Sequence, residues 1–215
     1  MSIVNVALAP DRQTATVVVD SRAGAMPGDV TKLFALPHMT ACLAGRGTLA
    51  MTVTALHCAI VVPTFDELAT SLGPGLDEAW RAVNNARAAL DVATLPEQQE
   101  IVVCGWHDRA RRFHTWSWIQ ERAADGFAFS ECRSLVLAPC DAEFMARVER
   151  VCADRGDIDL LDITLDQVDW FRRRLGAGAL YGGSLYAAQL SQNGVNMYRV
   201  GSCDEAASSP MRAVS

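Results

Sequence analysis

Cysteine and histidine are the residues of this sequence that could bind a metal ion or supply a thiol nucleophile. The chain has seven cysteines, and no two of them show C-x-x-C spacing. Its four histidines show neither H-x-x-x-H nor H-E-x-x-H spacing, so a metal site would need ligands from distant positions. We therefore expect reduced thiols, no metal and no cofactor. Three cysteines lie inside apolar runs and are predicted to pack in the core: Cys42, Cys58 and Cys104.

The composition is that of a folded, mildly acidic protein. The sequence has 215 residues, a formal net charge of −6 and a hydrophobic fraction of 50%. A chain with this balance lacks the positive charge that nucleic-acid binding requires. No apolar run reaches the roughly 18 residues of a membrane span, and no basic, apolar leader opens the chain. We expect a cytoplasmic protein without nucleic-acid or membrane partners, with one domain over residues 1–205 and a flexible tail over 206–215.

Hydrophobic periodicity predicts a group of strands and then a group of helices in the first half of the chain. Apolar and β-branched runs bounded by turn residues indicate strands over 3–8, 14–19, 32–36 and 39–44. Apolar residues at helical spacing follow over 48–61. Thr64 and Glu67 have the spacing of a capping box, which predicts a short second helix. The segment Gly73-Pro74-Gly75 should interrupt that helix, and a longer one is expected over 76–90.

The second half of the chain repeats this grouping. Four apolar segments are predicted to form a meander of strands, over 100–106, 112–119, 126–132 and 134–138. Two helices are expected over 141–153 and 165–175, and a hairpin with its turn at 192–194 closes the chain. Strands and helices that occur in clusters favour stacked antiparallel sheets covered by helix pairs over a doubly wound parallel sheet. The predicted fold is therefore α+β, a four-layer αββα sandwich.

Four short motifs, in this element order, resemble the proteasome β-subunit and HslV family of N-terminal-nucleophile (Ntn) hydrolases. Asp20-Ser21-Arg22-Ala23 after the second strand looks like the D-x-R-A segment of the family. Lys32-Leu33-Phe34 looks like its lysine and the short apolar strand that follows. Leu43-Ala44-Gly45 before a helix looks like its A-G turn, and Gly182-Gly183-Ser184 looks like the G-G before its last two strands.

The resemblance implies a nucleophile at the first residue of the mature chain, with its own α-amine as general base. The matching parts are Ser2 as nucleophile once Met1 is removed, and Asp20 and Lys32 as its electrostatic partners. The N–H of Gly45, which also acts as the hinge between strand and helix, would donate to the oxyanion. Such a protein would cleave peptide or other amide bonds in a ring of identical copies. A regulatory ATPase is a further candidate partner.

Two departures from the family pattern leave other functions open. Ser2 stands where the family usually has threonine, and aligning residues 3–6 on the first strand of HslV-like members puts Met1 at the nucleophile position. A shift of one residue turns each side chain of a strand to the opposite face. One alternative is therefore an inactive subunit with the proteasome fold that acts only by assembly. Another is an amidase for small substrates, which has no need of a ring.

Overall fold

The part of the chain that the structure describes contains ten strands, four α-helices and a 3-10 helix, Pro37–Met39. The structure is a computed structural model, and it describes residues 2–22, 29–93, 95, 98–122, 126–132, 134–155, 159–175 and 182–203. The strands are β1 Val4–Leu8, β2 Thr14–Asp20, β3 Leu33–Leu36, β4 Ala41–Arg46, β5 Gln99–His107, β6 Arg112–Gln120, β7 Ala128–Glu131, β8 Leu135–Ala138, β9 Ser184–Ser191 and β10 Gly194–Ser202. The helices are α1 Leu49–Ile60, α2 Phe65–Ala89, α3 Ala142–Arg155 and α4 Leu160–Leu175.

The strands form two antiparallel sheets of five strands each. The first sheet has the strand order β10-β9-β2-β1-β8, and the second has the order β3-β4-β5-β6-β7. Side chains alternate between the two faces of a strand, so every second residue of β1 faces the other sheet. Val4, Val6 and Leu8 accordingly pack between the sheets, against Phe113 of β6 and other apolar residues of the second sheet.

A pair of helices covers the outer face of each sheet. Helices α1 and α2 bury Met51, Leu68 and Leu72 against the second sheet. Helices α3 and α4 bury Phe144 and Ile163 against the first sheet. The layers are thus helix, sheet, sheet, helix, and the predicted αββα sandwich is confirmed.

Helix α2 is continuous where the sequence predicted a break. It runs from Phe65 to Ala89 with Pro74 inside it, and Thr64 caps its start by accepting a hydrogen bond from the Glu67 N–H. Its buried face extends across the proline, because Leu72 and Leu76 are both buried against the second sheet. Tertiary packing on both sides of Pro74 therefore outweighs the local tendency of proline to end a helix.

The last strand of the predicted meander belongs to the other sheet. Strands β5, β6 and β7 do pair in sequence order, but β8 pairs with β1 in the first sheet, with Val4 opposite Ala138. Helix α4 also begins at Leu160, five residues before its predicted start at 165. The predicted tail, 206–215, lies outside the described residues. Within the described ranges, none of the helices has the length and apolar character that crossing a bilayer requires.

Candidate active site

Ser2 lies at the open end of the space between the two sheets. Alternation along the first strand places its side chain on the same face as Val4 and Val6, toward the second sheet. Ile3 faces the other way and packs with Val168 of α4 and Leu185 of β9. Ser2 is only 4% exposed, so its hydroxyl lies in a largely dry environment. The Ser2 hydroxyl meets Lys32, and the role of Ser2 as nucleophile stays a prediction.

Lys32 connects the two sheets at this point. It immediately precedes β3 of the second sheet, and its Nζ donates to Ser2 Oγ at 2.9 Å and to Asp20 Oδ1 at 3.1 Å. It also donates to the main-chain oxygen of Arg22. Three acceptors match the three N–H donors of an ammonium group. Burial lowers the pKa of Lys32 from its ordinary 10.5, and the Asp20 carboxylate opposes that shift.

Asp20 holds the lysine from the end of β2. Its side chain is fully buried and accepts hydrogen bonds from the Ile3 N–H at 2.8 Å and the Gly182 N–H at 3.4 Å. Burial raises the pKa of Asp20 above its ordinary 3.8, while the Lys32 charge and these two N–H groups act in the opposite direction. These interactions fix the carboxylate in one orientation, so that the Lys32 ammonium is held against Ser2 Oγ.

The glycine motif before the last hairpin forms one wall of the site. The chain around Asp20 pairs with it through the Arg22 N–H, which donates to the Gly182 oxygen at 3.1 Å. Gly183 has a φ of +78°, and a Cβ there would lie 2.4 Å from Ser21 Oγ. Only glycine tolerates both conditions without strain. The Gly-Gly motif thus coincides with a position that requires glycine. Ala23 of the D-x-R-A segment lies outside the described residues.

Asp29 is a residue of this wall that the sequence did not indicate. Its Oδ1 accepts from Ser21 Oγ at 2.5 Å and from the Ser184 N–H at 3.3 Å. Hydrogen bonds from Ser184 and Ser21 lower its pKa. Asp29 thereby joins the segment before Lys32 to the segment that opens β9. No pattern of residue types marked it, because its partners are distant in sequence.

Gly45 lies inside a strand and is not the hinge that the sequence predicted. Strand β4 runs on to Arg46, and the backbone turns toward α1 at Gly47, where φ is +107°. Gly45 is needed for a different reason. A Cβ at this position would lie 2.1 Å from Thr52 Oγ1 of α1, so glycine lets the helix approach the strand. Its assignment as an oxyanion donor stays a prediction.

Arg46, the next residue, contacts the nucleophile candidate and was also missed. Its Nε donates to the Ser2 main-chain oxygen at 3.1 Å, and its Nη1 donates to Glu100 Oε2 at 2.7 Å. Glu100 is the residue directly opposite Arg46 in the pairing of β4 with β5. That register is a tertiary property, and so the sequence alone gave no signal for this contact.

An open cleft of about 640 Å³ lies between the ends of the two sheets, and Arg46, which contacts the Ser2 main chain, is one of its lining residues. Arg46 lines it from the second sheet, and Ala138, the partner of Val4, lines it from the first. The remaining walls carry the amides and charges of Gln98–Glu100 and Gln120–Arg122, together with apolar side chains. The cleft is large enough for several residues of an extended peptide.

The described residues contain no group of three or more His, Cys, Asp or Glu side chains placed to hold a metal ion. Cys42 and Cys104 are buried, as predicted, and burial raises the pKa of Cys104 to about 12. Cys58 is half-buried. Thiols of this kind act as small apolar side chains.

The two packed antiparallel sheets with their helix pairs form a proteasome-like fold. Solved structures of Anbu share it. A Gly-1 mutant of Anbu from Hyphomicrobium sp. strain MC1 is 13% identical, with a TM-score of 0.63 over 94% of this chain and 88% of that one. Anbu, described as an ancestral beta-subunit, from Yersinia bercovieri is 16% identical, with a TM-score of 0.62 over the same shares. No protein-family model matches the sequence, and no curated protein is significantly similar to it.

Proposed function

We propose that the chain is an N-terminal-nucleophile hydrolase that cleaves amide bonds, and peptide bonds in particular, with Ser2 as its nucleophile. The observation that carries the proposal is the buried ammonium of Lys32, which contacts Ser2 Oγ on one side and the Asp20 carboxylate on the other. A cation held against a buried hydroxyl stabilises the deprotonated oxygen and so favours loss of the proton. Removal of Met1, which a small second residue permits, would give Ser2 the free α-amine that the reaction needs.

The reaction follows from these parts. The Ser2 hydroxyl attacks the carbonyl carbon of the amide, and the Ser2 α-amine takes the hydroxyl proton. The Lys32 ammonium stabilises the developing negative charge on Oγ, and Asp20 keeps Lys32 charged and in place. The tetrahedral intermediate collapses as the amine proton passes to the leaving nitrogen, and an ester to Ser2 remains. Water, deprotonated by the same amine, then hydrolyses that ester and releases Ser2 Oγ.

The developing oxyanion needs a backbone donor, for which we propose the Gly45 N–H. Gly45 immediately precedes Arg46, whose side chain already contacts Ser2. Removing one donor of this kind from a hydrolase typically lowers kcat by about 100- to 1000-fold. In this role Gly45 would act through its main-chain N–H and not through a side chain.

We further propose that identical copies assemble into a ring, as subunits with this fold usually do, so that Ser2 faces an enclosed chamber. The likeness to Anbu supports the fold on which this rests. We expect the protein in the cytoplasm, and a regulatory ATPase as a partner that would deliver unfolded chains. The sequence motifs resemble the proteasome β-subunit and HslV family jointly.

The decisive experiment measures the intact mass of the purified native protein before and after exposure to a hydroxyl-reactive β-lactone. We expect loss of one methionine and a single adduct, with the label on Ser2. Ser2→Ala is the matched control, because alanine also permits removal of Met1 but has no hydroxyl. This variant should lose Met1 and take no label.

The other outcomes assign the alternative functions. A retained Met1 with no adduct would exclude the catalytic proposal and leave an inactive subunit that acts by assembly. An adduct on Ser2 in a protein whose native mass is that of one 23.2 kDa chain would instead favour an amidase for small substrates. An adduct together with a native mass of many copies would support the ring peptidase.

A further inference from the structure

The main chain of Ser2 is held by a charged side chain from the opposite sheet. Lys32 fixes the hydroxyl of Ser2, whereas Arg46 Nε donates to its carbonyl oxygen at 3.1 Å. Two independent contacts, one to each end of the residue, leave Ser2 little freedom to rotate.

The arginine is itself fixed by an ion pair. Arg46 Nη1 donates to Glu100 Oε2 at 2.7 Å, and the side chains are 20% and 11% exposed. The two residues face each other across β4 and β5, so the strand pairing sets their distance. The guanidinium plane presents its Nε and Nη1 donors in a rigid fork, which lets one side chain serve both partners. An ammonium group has no such fork.

We propose that Arg46 is the positioning residue that holds Ser2 in its attacking geometry, with Glu100 as the support that orients Arg46. The inference rests on the proposed function and adds a residue that the sequence motifs did not indicate. Arg46 and Glu100 both line the open cleft between the ends of the two sheets. The positive charge of Arg46, held at the Ser2 carbonyl oxygen, additionally favours the neutral form of the α-amine that would act as base.

The test compares three variants by the second-order rate of β-lactone addition to Ser2 and by the pH dependence of that rate. Arg46→Gln should lower the rate by about tenfold or more, since small displacements of a reacting group are costly. In this variant, the fall in rate at acidic pH should also occur at higher pH. The reason is that Arg46, whose positive charge disfavours protonation of the Ser2 α-amine, is gone. Arg46→Lys keeps the positive charge but lacks the forked donors of the guanidinium group. It should therefore keep the wild-type pH dependence at acidic pH but show the lowered rate.

Arg147→Gln is the matched control. Arg147 forms an ion pair of the same kind with Asp166, at 2.8 Å between α3 and α4, with side chains 25% and 4% exposed. Its loss should change thermal stability to a similar extent while leaving the rate and the pH profile unchanged. A wild-type rate and profile in Arg46→Gln, or a full wild-type rate in Arg46→Lys, would overturn the inference.

A crystal structure of Arg46→Gln separates this inference from the proposed function. We expect the contact between Ser2 Oγ and Lys32 Nζ to be lost or lengthened, whether or not the wild-type protein reacts with the lactone. An unchanged contact would refute the positioning role. Absence of an adduct in the wild-type protein would instead refute the proposed function, and the crystal structure would still decide the role of Arg46.

Discussion

At the scale of single residues, the site depends on one buried ion pair. Lys32 is 5% exposed and Asp20 is fully buried, so neither charge is solvated and each compensates the other. Removing one member of such a pair leaves an uncompensated buried charge, whereas removing both charges together is often nearly neutral. The pair is therefore better explained by what it does to Ser2 than by a contribution to stability.

Lys32→Met should lower the free energy of unfolding by about 3–5 kcal/mol, because the Asp20 carboxylate is then buried alone. The double variant Lys32→Met with Asp20→Asn should recover most of that loss, since the amide oxygen of asparagine still accepts from the Ile3 N–H. Chemical denaturation measures both. Neither variant should form the lactone adduct. A Lys32→Met protein as stable as wild type would show that Asp20 needs no partner.

The pH dependence of the reaction should carry the signature of Lys32. Charged Lys32 stabilises the nucleophile, so the rate should fall on the alkaline side as Lys32 loses its proton. Burial lowers the pKa of Lys32, which places this limb below the ordinary lysine value of 10.5. Asp20→Asn removes the carboxylate that raises that pKa, so the limb should move to still lower pH. A limb that moves to higher pH in Asp20→Asn would contradict the assignment.

At the scale of the elements, helix α2 shows how packing outweighs a local signal. Leu68, Leu72, Leu76 and Trp80 are four residues apart and form a buried stripe that continues past Pro74. Gly73 on the same helix lies close to Trp118 of the second sheet, where a Cβ would be 3.4 Å from the ring. The sequence contained this stripe, but the proline between two glycines predicted a break.

Pro74→Ala should stabilise the protein. Pro74 is exposed, so its replacement disturbs no core contact, and alanine restores an N–H that can donate to the carbonyl of Thr70. Proline in a helix interior is about 3 kcal/mol less favourable than alanine, which sets an upper limit on the gain. Thermal and chemical unfolding measure it, with Glu78→Ala on the exposed face of α2 as control. A loss of stability would mean that the rigidity of proline in the unfolded chain contributes more to stability than the helical hydrogen bond that alanine restores.

At the scale of the whole molecule, a buried polar network joins the α4 layer to the first sheet. Asn5 Nδ2 donates to Thr164 Oγ1 at 2.8 Å and to Gln167 Oε1 at 2.7 Å, and Asn5 Oδ1 accepts from the Ala138 N–H at 3.2 Å. Asn5 stands in the middle of an otherwise apolar strand and faces α4. Its network fixes the position of α4 over β1 and β8 more specifically than apolar contacts would.

Asn5→Ala should therefore destabilise the fold beyond the loss of one side chain. Thr164, Gln167 and the Ala138 N–H each lose a partner in the interior, and an unsatisfied buried group costs about 1–3 kcal/mol. We expect a loss near the upper end of this range in the free energy of unfolding. Asn196→Ala, on the exposed part of β10, is the control and should change little. Equal effects of the two substitutions would show that water replaces the network.

Much of the fold and part of the site were predictable from the sequence. The alternation of β1 and β2, the cap at Thr64 and the clustering of strands and helices are local properties, written in residue type and period. They fixed the element types and the αββα class. The motif residues Asp20, Lys32 and Gly182 were identified through the resemblance to a known family, and the structure brings Asp20 into contact with both Lys32 and Gly182.

Only the tertiary structure decided which residues meet. The pairing of β8 with β1, the register that sets Arg46 opposite Glu100, and the contact of Asp29 with Ser184 depend on segments far apart in the chain. A side chain's type gives its donors and acceptors but not its partner, because many registers satisfy the same hydrophobic pattern locally. The choice among them is made by the packing of both sheets and all four helices at once, and that choice brought Lys32 to Ser2.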